Sequence, residues 1–203
     1  MKKLLLFVFP LLFITVISFG QVPNYLPTNG LVGYWPFNGN ANDESGNGND
    51  GTVNGASLSA DRNGNGNAAY NFDGSSYINV PDNTNFAFGN GSYTLAVWAL
   101  NQNPFSAYEN IIQKCESSPN YTGWQLRFEN SSVYFASGTT FTSSWQNNGV
   151  AISNIAITAN TWYHIVAVFD TVNSLVKLYI NGTSDMSIPA STIVNSDNFN
   201  DLT

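Results

Sequence analysis

The sequence predicts an all-β protein, a sandwich of antiparallel sheets, and three observations carry that prediction. Short runs rich in Val, Ile, Tyr, Phe and Trp recur along the chain, Gly, Asn and Pro punctuate them, and no segment sustains a helical apolar stripe. Many short strands separated by turn signals pack as two sheets over one core.

In chain order, residues 1–20, MKKLLLFVFPLLFITVISFG, come first. Lys2 and Lys3 precede an apolar run from Leu4 to Ile17, and the small Ser18 and Gly20 lie before a cleavage point expected ahead of Gln21. This is the pattern of a secretory signal peptide. The run is too short for a good membrane span, which needs about 18 apolar residues. The mature protein is therefore expected outside the cell or on its surface, with no membrane insertion after cleavage. No cysteine follows the cleavage point, so no N-terminal lipid anchor is expected. Residues 21–30 form a short leader, and 31–203 are enough for one domain with a sizeable core.

Cleavage removes two of six basic residues, leaving four against thirteen acidic ones, a formal charge of −9. Nucleic acids and anionic membranes need basic patches, so both are excluded as partners. Cys115 is the single cysteine and no intrachain disulfide forms. Its expected role is that of a buried small hydrophobe rather than a reactive thiol.

Strands are predicted at Leu31–Phe37, Ala68–Phe72, Tyr77–Val80, Ser92–Asn101, Asn110–Cys115, Gly123–Glu129, Trp162–Asp170 and Leu175–Ile180. Trp124, Leu126 and Phe128 alternate with Gln125, Arg127 and Glu129, which predicts one buried and one wet face. Tyr93–Leu100 and Ile165–Phe169 are apolar on both faces, so both are expected at sheet centres with cover on each side. On that reading Trp98, Val166, Val168 and Phe72 are buried, and Trp35 and Trp162 belong to the core. Asn181-Gly182 tolerates the positive φ angles of a type I′ turn, so Leu175–Ile180 turns back from Thr183 onward as a hairpin.

Three blocks then stand in order: LVGYWPFNGNANDESGNGNDGT, AAYNFDGSSYINVPD with SYTLAVWAL, and WYHIVAVFDTVNSLVKLYINGT. Together, from about Leu31 to Ser187, they resemble the concanavalin A-like lectin/glucanase superfamily, specifically the LamG-like (laminin G and pentraxin-like) domains of secreted bacterial proteins. The resemblance implies a two-sheet jelly roll, calcium in many members, and carbohydrate or protein ligands at one edge or on the concave sheet. Members usually close with a strand of the type G-x-I-D-x-V-R-I-Y beside the opening strand. The chain reaches Thr203 without that pattern, so a domain lacking its closing strand, with an exposed edge beside Leu31–Phe37, is expected.

The opening loop has two readings. Asp43-x-Ser45-x-Asn47-Gly48 matches the first half of an EF-hand, but position 12 is Asn54 rather than Glu and no helix flanks it. Asp61-x-Asn63-x-Asn65-Gly66 is a second near miss, with Phe72 at that position. A calcium ion held by Asp43, Ser45, Asn47 and Asn49, with carbonyls of the Gly46–Gly51 turn, is one reading, and the resemblance favours it. The other is a set of Asx and Ser turns.

Catalysis finds little footing. Glucanases of this fold place carboxylates at alternate strand positions, and here no two acidic residues are two apart. Glu109 and Glu116 lie seven apart, on opposite faces and roughly 20 Å or more from each other if extended. His164, the single histidine, sits mid-strand as a packing residue, and one His with one Cys makes no zinc set.

Loop aromatics point instead to binding. Trp145 and Phe141 lie in a Ser/Thr/Asn/Gly stretch, and Tyr121 and Tyr108 in similar loops. Exposed rings stack on sugar faces while amides take the hydroxyls. The reading is a secreted, non-catalytic module for a glycan or an extracellular protein. Two others stay open: an accessory module or degenerate relative of a glycoside hydrolase or lyase, and a structural, adhesive surface protein.

Overall fold

A computed structural model describes residues 22–89, 91–103, 108–115, 121–141 and 150–190. The signal-peptide reading and Trp145 lie outside them. The described residues form an all-β, antiparallel jelly-roll sandwich with a single 3₁₀ turn at Thr84–Phe86.

Twelve strands follow in order: β1 (Thr52–Asn54), β2 (Ser57–Ser59), β3 (Ala69–Asn71), β4 (Tyr77–Asn79), β5 (Tyr93–Leu100), β6 (Glu109–Cys115), β7 (Tyr121–Glu129), β8 (Ser132–Phe141), β9 (Val150–Ile152), β10 (Trp162–Asp170), β11 (Leu175–Ile180) and β12 (Thr183–Pro189). One four-stranded sheet runs β12-β11-β10-β5 and the other β6-β7-β8-β9; β1-β4 and β2-β3 make two-stranded ribbons. The β11–β12 hairpin turns through Asn181 (φ 51°) and Gly182 (φ 78°), as the Asn-Gly pair predicts.

The core lies between the large sheets. Ile165, Ala167 and Phe169 of β10 and Val176, Leu178 and Ile180 of β11 meet Trp124, Leu126 and Phe128 of β7 and Val133 and Phe135 of β8 in one buried cluster. Each fully buried Leu, Ile or Val contributes about 1.5–3 kcal/mol. Tyr93 joins the sheets: its ring packs edge-on against Phe135 at 6.2 Å, and its hydroxyl donates to Ser137 Oγ at 2.6 Å. Burial pushes that phenol well above its ordinary pKa, against the Ser137 hydrogen bond. At one end Asp185 of β12 accepts from the backbone N–H groups of Asn154 (2.7 Å) and Ile155 (3.1 Å), which ties the β9 side to the opposite sheet.

Several expectations need correction. Of the two strands expected at sheet centres, β10 is interior and β5 is an edge strand among the described residues. Both strands bury alternate positions. Tyr163, Ile165, Ala167 and Phe169 face the core, so Val166, Val168 and Trp162 are half-buried on the outer face, and Trp98 is 42% exposed there. Phe72, just past β3, is 49% exposed. The cause is the two-residue period of a strand, which sends alternate side chains away from the core whatever their polarity. Trp35 is half-buried against the core cluster.

Leu31–Phe37 enters no ladder among the described residues and ends at Phe37 with φ 58°. All seven of its residues are half-buried. The loop that follows holds the segment in place.

Candidate ligand-binding face

The opening loop is a hydrogen-bonded brace centred on one carboxylate. Asp43 Oδ1 accepts from the N–H groups of Tyr34 and Ser45, both at 2.9 Å. Oδ2 accepts from Ser45 Oγ (2.9 Å) and from the N–H of Asn49 (3.0 Å). Although burial works the other way, these donors hold the Asp43 carboxyl below the usual carboxylate range. Asn47 donates its amide to the carbonyls of Leu31 (2.8 Å) and Val32 (3.1 Å), and Asn49 donates to Val32 at 2.8 Å. Asn49 is buried, and its own carbonyl accepts from Trp35 Nε1 at 2.9 Å.

Thus the four residues read as calcium ligands are brought together, and both Asp43 oxygens, the Ser45 hydroxyl and the Asn49 side-chain oxygen accept hydrogen bonds from N–H or O–H donors. A calcium ion needs six to eight oxygens with free lone pairs, and Asp43 already accepts four hydrogen bonds. No group of three or more His, Cys, Asp or Glu suited to a metal occurs among the described residues.

The second cluster lies on the face of the β6–β9 sheet turned away from the core. Register places Asn110, Arg127, Tyr134 and Ile152 in one row across four strands, and Gln113, Gln125, Ala136 and Val150 in the next. Gln125 donates to Asn110 Oδ1 (2.6 Å) and Gln113 Oε1 (2.8 Å), and Arg127 Nη1 donates to Gln125 Oε1 at 2.6 Å. Arg127 Nε donates to Glu129 at 2.8 Å, completing a two-point ion pair. The guanidinium lies between two rings, 5.1 Å from Tyr108 and 5.2 Å from Tyr134. A planar cation favours that position over aromatic faces.

This face was expected to be wet, yet Gln125 is 8% and Arg127 2% exposed. Their chain of mutual hydrogen bonds satisfies them out of water. Tyr108 stands 62% exposed at the rim, and neither it nor Tyr134 spends its hydroxyl on a partner among the described residues. Burial, then the Glu129 charge, raises the Tyr134 phenol above its usual value, so it is a neutral donor. Burial also pushes the half-buried Cys115 thiol up, in keeping with an unreactive packing role.

Of the four ring residues singled out in the sequence, Tyr108 belongs to this face. Tyr121 and Phe141 are a Cα pair in the β7–β8 ladder. The sequence reading missed Arg127 and Tyr134. The alternation Val133, Phe135 against Tyr134, Ala136 was the available signal for β8.

Residues 72–203 match a laminin G family of the concanavalin A-like lectin/glucanases superfamily. The chain belongs to that superfamily. Among solved structures, this superfamily member is similar to the receptor binding domain of botulinum neurotoxin C/D mosaic serotype, with TM-score 0.66, 15% identity, and coverage of 87% of this chain and 43% of the other. It is also similar to domain 4 of AbnA, a GH43 extracellular arabinanase from Geobacillus stearothermophilus, in complex with arabinotriose, with TM-score 0.60, 18% identity, and coverage of 85% and 81%. The binding domain of Paraclostridial Mosquitocidal Protein 1 follows at TM-score 0.54 and 18% identity, covering 79% of this chain and 40% of that one. The chain thus spans about two fifths of the toxin binding domains it matches. At these identities the likeness is one of fold. A search of curated proteins finds no match.

Proposed function

We propose that the protein is a secreted, non-catalytic binding module that takes a glycan on the outer face of the β6–β9 sheet. The observation that carries this reading is Arg127 held between Tyr108 and Tyr134, with an amide chain beside it and an exposed ring at the rim. A sugar offers an apolar C–H face and a ring of hydroxyls; Tyr108 supplies the first contact, and Tyr134 Oη and the amides of Asn110 supply the second. Because the Arg127 network is already satisfied, it is rigid before the ligand arrives, which lowers the ordering cost of binding.

Membership of a lectin/glucanase superfamily supports a carbohydrate partner, and so does the fold shared with an arabinanase domain that was seen in complex with arabinotriose. Glu129, the carboxylate on the central strand of this face, is engaged by Arg127 and so is poorly placed to act as a free acid or nucleophile. The signal-peptide pattern of residues 1–20 supports export. Calcium at the opening loop would require Asp43 to surrender its N–H donors, so the brace is the better-supported role.

The test is a glycan array followed by calorimetry on the hits, arabinotriose included. Tyr108→Ala should weaken binding at least tenfold without lowering Tm, because the ring is exposed. Absence of any glycan ligand, or binding indifferent to Tyr108→Ala and Tyr134→Ala, overturns the assignment.

A further inference from the structure

A second group of side chains gathers on the outer face of the other large sheet. Trp98 of β5 and His164 of β10 are Cα partners, with ring centroids 5.1 Å apart. Arg62, from the exposed loop between β2 and β3, lays its guanidinium over the Trp98 ring at 4.5 Å. Burying the large apolar surface of a Trp is favourable, yet Trp98 keeps 42% of it in water.

The charge inventory makes this place unusual. Beyond residue 20 the chain has four basic residues. Lys114 pairs with Asp82 at 2.9 Å, Arg127 with Glu129, and Lys177 with Asp170 at 2.7 Å. Arg62 makes no ion pair or hydrogen bond among the described residues; the Trp98 ring is its partner. Its sequence neighbour Asp61 is spent on its own loop, accepting from the N–H groups of Asn63 and Asn65, both at 2.8 Å, and from both their side-chain amides.

Stacking a guanidinium on a ring uses its face and leaves the edge donors pointing outward in the plane that matches a carboxylate. The indole Nε1 of Trp98 and the ring nitrogens of His164 likewise have no hydrogen-bond partner among the described residues. Arg62 and Trp98, with the His164 imidazole beside them, therefore bring N–H donors without a hydrogen-bond partner among the described residues to one exposed aromatic surface. A donor-rich aromatic patch fits a ligand that brings both a negative charge and an apolar face.

We infer that the Arg62–Trp98–His164 patch is a second binding site, selective for an acidic saccharide whose carboxylate or sulfate meets the Arg62 fork while its ring lies on the exposed part of Trp98. The overall negative charge of the protein does not prevent this, because at physiological salt exposed charges beyond about 8 Å are largely screened. The site is independent of the Tyr108 face, which lies on the other sheet.

The test is calorimetry with trigalacturonate, neutral galactotriose and a sulfated galactose disaccharide, together with amide and indole NMR shifts. Trigalacturonate should bind, shift the Trp98 indole resonance and weaken with added salt, and galactotriose should do neither at this patch. Arg62→Gln removes an exposed side chain without a polar partner, so the fold should persist while affinity falls at least tenfold. Arg62→Lys should recover only part of it, and the shift of the Trp98 indole resonance should fall with the affinity. If the sulfated disaccharide binds and trigalacturonate does not, and Arg62→Gln abolishes that binding, the ligand class is a sulfated sugar. Equal affinity for acidic and neutral sugars, no binding of either acidic probe, or affinity unmoved by Arg62→Gln overturns the site.

Discussion

The two outward faces of the sandwich use the same materials in opposite ways. On the β6–β9 sheet an arginine sits between two tyrosines, 2% exposed, with a glutamate and an amide chain meeting its donors. On the β5–β10 side an arginine covers a tryptophan in the open, its donors unmatched among the described residues. What separates them is where the arginine is rooted. Arg127 belongs to an inner strand whose own residues Gln125 and Glu129 meet its donors while the Tyr108 and Tyr134 rings cover it, whereas Arg62 reaches over from a loop and finds only a ring. A cation built into a ladder becomes part of the fold; one delivered by a loop keeps its capacity for a ligand.

The largest expected break in that symmetry is in stability. Arg127→Met leaves Glu129 partly buried without its counter-charge and unravels the amide chain, so a loss of about 3 kcal/mol is expected in urea unfolding. Arg62→Met should change stability by less than about 0.5 kcal/mol, since it is an exposed substitution away from any network. Equal losses would mean that the two arginines are not differently employed.

Next in size is the brace. Asp43→Ala strips four hydrogen bonds from a partly exposed carboxylate and frees the Leu31–Phe37 segment; with solvent replacing some of them, about 1–2 kcal/mol is expected. Thermal melts with calcium and then with chelator should coincide. A midpoint raised by calcium in the parent protein and not in Asp43→Ala would replace the brace by a metal site.

Acid sharpens the role of surface pairs. Lys177 and Asn173 hold the Asp170 carboxyl at about 2, below its ordinary value near 3.9. A depressed carboxylate contributes stability that is full above the unfolded pKa and lost as pH falls through the folded one. Asp170→Asn should therefore flatten the stability profile between about pH 4 and pH 2 and leave the sandwich folded. Lys177 has the opposite sign: its raised pKa favours the folded state until pH climbs past the ordinary lysine range.

The smallest effect belongs to His164. Burial chiefly, and then Arg62, holds its pKa below the ordinary 6.5, so the imidazole is neutral at pH 7. Arg62→Gln removes the second cause. The NMR titration of His164 should then move upward; no movement would place Arg62 away from the ring.

How much of this could be read in advance varied with the range of the interaction responsible. β10 and β11 were legible to the residue, because alternating and β-branched runs bounded by Asp170 and Asn181-Gly182 are local signals. β8 was hidden by its Ser, Gly and Thr, although Val133 and Phe135 alternate. Leu31–Phe37 reads as a strand and enters no ladder, because a ladder needs a partner and propensity cannot supply one. The residues of the opening loop were recognised, but whether their oxygens meet a cation or N–H donors depends on where Tyr34 and Asn49 are carried by the chain.

By itself the sequence determined the class of fold, the antiparallel pairing, the Asn-Gly hairpin, the poverty of positive charge and the lack of alternating carboxylates, all of which follow from period, turn chemistry and composition. Only the tertiary structure decided which of two apolar faces turns inward, and hence that Trp98 lies exposed. It also decided that Arg127 is buried among amides while Arg62 stays open to solvent. The reason is physical. A strand's two-residue period says that its faces differ, but the choice between them is made by the sheet packed on the other side.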